Sequence, residues 1–164
     1  MTTPSLSSDR TDEKWPYRLT HDWSIQLEQL KGRVESPYYF RTQAIAQADS
    51  GRGEACTDWL RLEVDGTVTI RSGYGTDGCS AVPNFPNVLP GCVLHDALRQ
   101  ATTFDPDCPW TRREADVIFR EVMRDHGFNW LGRWIYYLGV AGPTGWAYSK
   151  ISRWLKPPTD QLCP

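Results

Sequence analysis

The chain has 164 residues, 40% of them hydrophobic and 23% charged, with a formal net charge of −2. That length suits one domain with its own core, and the near-neutral balance excludes a basic footprint for nucleic acid. No run approaches the roughly 20 apolar residues of a membrane-spanning helix.

The polar start, "MTTPSLSSDRTDEKW", predicts neither a signal peptide nor a membrane anchor, so synthesis in the cytoplasm is expected. Residues 1–14 read as a flexible arm, ahead of a single domain over 15–156 and a tail over 157–164. "WSIQL" sets Trp23, Ile25 and Leu27 at period two, a half-buried strand. Residues 36–55 carry mixed signals and end in a loop around Gly51 and Gly53. Leu60, Leu62 and Val64 then alternate before Asp65-Gly66, with Val68 and Ile70 after it, which predicts a β-hairpin with a two-residue turn.

A long loop over 71–89 follows. Pro90 suits the first turn of a helix that continues to about Ala101. Thr111 and Glu114 make a capping-box pattern opening a helix over 111–126, closed by Gly127. Its apolar stripe is Ala115, Ile118, Phe119, Val122 and Met123. Two shorter aromatic helices, about 129–140 and 144–155, are broken at Gly142-Pro143. The order predicts an α+β fold: a small antiparallel hairpin region, an antiparallel helix pair, then two aromatic-rich C-terminal helices.

Candidate chemistry concentrates in "GYGTDGCSAVPNFPNVLPGCVLHDALRQ", residues 73–100, and in Asp116. His95 lies about 9 Å before the end of the first helix of the pair, and Asp116 about 7.5 Å into the second. A short connection therefore sets them at matching heights. A carboxylate bonded to one imidazole nitrogen fixes the tautomer and leaves the other nitrogen as a base. Spacing alone leaves a second reading open, in which Asp116 is exposed or caps nearby backbone, because buried Asp is rare unless paired. Asp77, flanked by Gly75 and Gly78, and Asp96, beside His95, add two carboxylates. With backbone carbonyls they offer the oxygen chemistry of Ca2+ rather than that of Zn2+.

Five cysteines, Cys56, Cys79, Cys92, Cys108 and Cys163, exclude a complete disulfide framework but leave room for a single bridge. Cys79, Cys92 and His95 make an incomplete zinc pattern. A Cys92/His95 protease dyad would put nucleophile and base on adjacent turns of one helix. Ser80 lacks the nucleophile-elbow pattern. His21-Asp22 reads as a surface turn, and His126 suits the negative end of a helix dipole.

The blocks "TDGCS", "GCVLHD" and "RREADVIF" (Arg112 to Phe119), in this order, resemble the prokaryotic, secreted phospholipase A2 type. They are also similar to those of an uncharacterised family of phage and prophage proteins, to which the preceding hairpin is closer. The likeness covers roughly residues 73–123. It implies a phospholipase A2-like helix pair and calcium-dependent hydrolysis of acyl esters of glycerophospholipids. In that reading His95 is the general base, Asp116 orients it, and Asp77, Asp96 and the Gly78 carbonyl hold Ca2+. The same likeness implies a disulfide between Cys79 and Cys92. One position departs: these enzymes carry Tyr four residues after the His, where this chain has Arg99. Either a cation serves the same Asp, or the site is released from catalysis. The alternative function is a non-catalytic virion or tail-assembly protein that keeps the scaffold, with release by a non-classical route or virion association as the matching location.

In the C-terminal stretch, Trp130, Trp134, Tyr137, Trp146 and Trp154 accompany Arg133, Lys150 and Arg153. They read first as packing, in the core or against a protein partner such as a phage tail component. The second reading is an amphipathic surface for a phospholipid membrane interface.

Overall fold

Period-two alternation organises the first half of the chain into strands, and a period of 3.6 organises the second into helices. A computed structural model describes residues 3–8, 17–42, 57–76, 78–79 and 85–142. The strands are β1 (Leu6–Ser8), β2 (Tyr17–Leu19), β3 (Trp23–Gln26), β4 (Tyr38–Thr42), β5 (Thr57–Leu62), β6 (Thr67–Ile70) and β7 (Gly75–Thr76). The helices are α1 (Leu89–Phe104), α2 (Arg112–Asp125) and α3 (Trp130–Ala141), and a single 3-10 turn covers Glu28–Leu30. Two antiparallel sheets, ordered β1-β2-β7 and β3-β6-β5-β4, precede the helices. The fold class is α+β, as expected.

In β3, Trp23 and Ile25 are buried while Ser24 and Gln26 face solvent. The hairpin pairs Leu60 with Ile70 and Leu62 with Val68, all four buried. Its turn is one residue longer than expected. Glu63 N donates to Thr67 O, and Gly66 N donates to Glu63 O, so Val64, Asp65 and Gly66 form the loop. Val64 accordingly leaves the core face and is exposed. The Asp65 side chain accepts from Thr67 N at 2.9 Å, which favours this tighter twist.

Gly66 has φ +88°, and its carbonyl accepts from Leu27 N at 3.0 Å. A Cβ there would stand 2.5 Å from the Leu27 carbonyl oxygen. Gly66→Ala is expected to destabilise the fold by at least about 1–3 kcal/mol through left-handed backbone strain, with the clash adding to it. The check is the urea midpoint at constant slope. A midpoint equal to that of the parent would contradict this account of the turn.

Four strands depart from the sequence expectation, β2 among them. Leu6–Ser8, placed in a flexible arm, pairs with β2 in the register Leu6 to Leu19. β4 forms where the signals were mixed, and β7 interrupts the long loop over 71–89.

The helical half follows its caps. Pro90 lies in the first turn of α1, which runs to Phe104, past the expected end near Ala101. The Thr111 hydroxyl accepts from Glu114 N while the Glu114 carboxylate accepts from Thr111 N, a complete capping box worth about 0.5–2 kcal/mol. Gly127 ends α2 at φ +77°. Early α1 meets late α2, with Gly91 against Phe119 and Met123, and late α1 meets the α2 approach, where Trp110 Nε1 donates to Leu98 O at 3.0 Å. The two helices are therefore antiparallel.

The main core lies between the sheets and the α1/α2 pair. A smaller one joins Cys79, Val88, Cys92, Phe119, Met123 and Tyr136 where α3 packs on the pair. From α3 only Tyr136 is buried, whereas Trp130, Leu131, Trp134, Ile135 and Leu138 are exposed. The expectation of core packing therefore fails for Trp130 and Trp134, and the buried residue of α3 is Tyr136, which that expectation did not name. Arg120 braces that helix, its guanidinium 4.6 Å from the Trp134 ring and 5.1 Å from the Tyr137 ring. The expected helix over 144–155, with Trp146, Lys150, Arg153 and Trp154, lies outside the described residues. Among the described residues no helix is long and apolar enough to cross a membrane.

Candidate functional site

His95 and Arg99 are four residues apart on α1, so they share one face. That face meets Asp116 of α2. His95 Nε2 lies 2.7 Å from Asp116 Oδ1, and Arg99 Nη1 donates to the same oxygen at 2.8 Å. His95 is 8% exposed and Asp116 4%. Asp116 therefore takes the paired reading, not the solvent-facing one. The Phe119 ring, one turn along α2, covers the imidazole at 4.9 Å between centroids.

Burial is the main force on the imidazole and pushes its pKa below the ordinary value. The Asp116 carboxylate opposes that shift, while the Arg99 and Arg112 charges add to it. At neutral pH the ring is neutral. Burial also draws Arg99 downward, with Asp116 acting against it, but a guanidinium stays charged in a protein. An ionised carboxylate only accepts, so Nε2 is the protonated nitrogen and Nδ1 carries the lone pair. Among the described residues no hydrogen bond engages Nδ1.

Asp96, one residue on and about 100° around the helix, turns toward the sheet. There the Thr76 hydroxyl donates to Asp96 Oδ2 at 2.5 Å and accepts from Gly78 N at 3.0 Å. Thr76 is wholly buried, and Gly78 sits at φ +76°. The expected Cys79–Cys92 disulfide is present, with a Cα separation of 5.2 Å. It ties the segment after β7 to α1 one turn before His95. Both sulfurs are thereby consumed, which removes the zinc-thiolate and Cys92/His95 protease readings. Asp77 and Ser80 lie outside the described residues.

The site thus joins Asp96, Gly78, His95 and Asp116 from three segments. The Asp96 carboxylate is a hard oxygen donor, the type Ca2+ takes, while Gly78 engages Thr76 through its N–H. Thr76 escaped the sequence reading. Its only local signal is its place beside Asp77, and nothing in that spacing announces a bond to a carboxylate twenty positions further along α1. His21 is exposed, as expected of a surface turn. His126 caps α2, its Nδ1 3.0 Å from Val122 O.

Fold and site together define an α+β domain with a buried His–Asp–Arg cluster, clamped by a disulfide to a β-strand loop. The chain belongs to the family described as Protein of unknown function (DUF1353), whose model matches residues 58–140. That span runs from within β5 to within α3 and includes His95, Asp96, Asp116, Arg99, Asp77, Gly78, Cys79 and Cys92. No curated protein and no solved structure matches the chain significantly.

Proposed function

We propose that this protein is a calcium-dependent acyl-ester hydrolase of the phospholipase A2 type, acting on glycerophospholipids. The observation that carries the reading is the buried His95–Asp116 bond at 2.7 Å, beside an Asp96 fixed by Thr76. In this mechanism His95 Nδ1 takes the proton of a water as that water attacks the ester carbonyl. Asp116 holds the ring in place through Nε2–H and balances the imidazolium that forms. The same Nδ1 proton is then delivered to the leaving alkoxide. Asp77, Gly78 and Asp96 would hold Ca2+. Bound there, the ion supplies Lewis-acid polarisation of the ester carbonyl.

The exposed apolar side of α3 favours a second reading, a non-catalytic virion or tail-assembly protein binding its partners through that helix. Fatty-acid release from phospholipid vesicles separates the two. The hydrolase reading expects release with calcium, none with EDTA, and none from His95→Ala in either condition. A folded protein that releases no fatty acid at any calcium concentration defeats it and leaves the scaffold reading standing.

A further inference from the structure

One carboxylate oxygen in the buried cluster serves two donors. Asp116 Oδ1 accepts from His95 Nε2 at 2.7 Å and from Arg99 Nη1 at 2.8 Å, and both donors come from α1. A carboxylate held by the imidazole alone can swing about its terminal torsion, which is broad and roughly two-fold. The second donor removes that freedom, because the guanidinium is planar and its N–H directions are rigid. Asp116 is 5% exposed at its side chain and Arg99 16%, so water competes weakly for either bond.

We propose that Arg99 is the positioning residue of the His95–Asp116 pair. Its guanidinium pins Asp116 Oδ1 in line with Nε2, which locks the imidazole as the Nε2–H tautomer and leaves Nδ1 as its one basic atom. Its place four residues after His95 is therefore a working part of the site and not a sign of decay. The catalytic meaning of this arrangement rests on the hydrolase reading; the tautomer lock itself does not.

The chain has three histidines, which makes ring nitrogen NMR decisive. Long-range proton–nitrogen spectra of the uniformly 15N-labelled full chain at neutral pH report each tautomer, and solvent exchange of the His95 Nε2 proton reports how firmly it is held. The wild type is expected to show a single His95 tautomer with a slowly exchanging Nε2 proton. In Arg99→Met, exchange should quicken by about tenfold, the loss of one charge-assisted hydrogen bond, and Nδ1–H signal should appear. Arg99→Lys keeps the charge on a flexible stem, and its exchange should fall between the two.

His126 reports the fold, since its Nδ1 donates to Val122 O on the helix that carries Asp116. Wild-type tautomer and exchange in Arg99→Met, with His126 unchanged, overturn the proposal. If Arg99→Met disturbs His126, Arg99→Lys decides: exchange equal to wild type overturns the proposal, and faster exchange supports it. Fatty-acid release judges the hydrolase reading separately, so either idea can fail while the other stands.

Discussion

Replacing Asp116 with alanine is expected to lower the unfolding free energy by about 3–5 kcal/mol, the cost of breaking a buried charge pair from one side. The substitution leaves the Arg99 guanidinium and His95 Nε2–H without their shared acceptor, in a setting where Asp116 is 4% exposed. The loss is large because an unmade bond to a desolvated donor carries that donor's full desolvation cost. Domains of this size are stable by roughly 5–15 kcal/mol, so much of the margin would go. Asp116→Asn should cost less, because its amide oxygen still accepts from one donor. The check is the denaturant midpoint of both variants at matched pH. A loss under about 1 kcal/mol in Asp116→Ala would mean that water already serves both donors.

The second large effect concerns the covalent tie. Cys79 and Cys92 are 13 positions apart, and closing a loop of that size removes about 3 kcal/mol of unfolded-chain entropy in the simplest model. The paired Cys79→Ala, Cys92→Ala variant should therefore unfold at a lower denaturant concentration by about that free energy. Both positions are buried in the small core against Phe119, Met123 and Tyr136, so lost sulfur packing adds to the entropy. Cys108→Ala is the control: its thiol is half-buried and unpaired, and burial pushes its pKa up to about 11. If the paired variant and the parent unfold together, the bridge contributes nothing to stability.

Local chemistry made the helices legible. Pro90, the Thr111/Glu114 box and Gly127 act within a few positions of themselves, so the start of α1 and both ends of α2 could be read from sequence, whereas the end of α1 at Phe104 carries no such signal. The contact between His95 and Asp116 was expected from helical rise and a short connection, but that reckoning ended α1 near Ala101, and with α1 running to Phe104 only its outcome holds. What spacing lacks is rotation: whether Asp116 faced α1 or water depended on packing of Phe119 and the small core. The turn at Val64 was misplaced for a related reason. Its identity suits a strand, but the bond from Thr67 N to Asp65 and the contact between Gly66 and Leu27 decide the loop length. Strands β1, β2 and β7 have two or three residues each, too few for a period to show. Thr76 belongs to the shortest of them, so its bond to Asp96 had no pattern to reveal it.

Those three short strands have a mechanical consequence. β7 hydrogen-bonds to β2, β2 to β1, and the last residue of β7 is the Thr76 that grips Asp96. A two-residue strand has little persistence by itself and borrows its rigidity from its neighbours. Asp96 is thus anchored by a relay of backbone bonds that reaches back to Leu6, more than fifty positions before the residues matched by the family model. Segments outside the matched span act as the buttress for a residue within it.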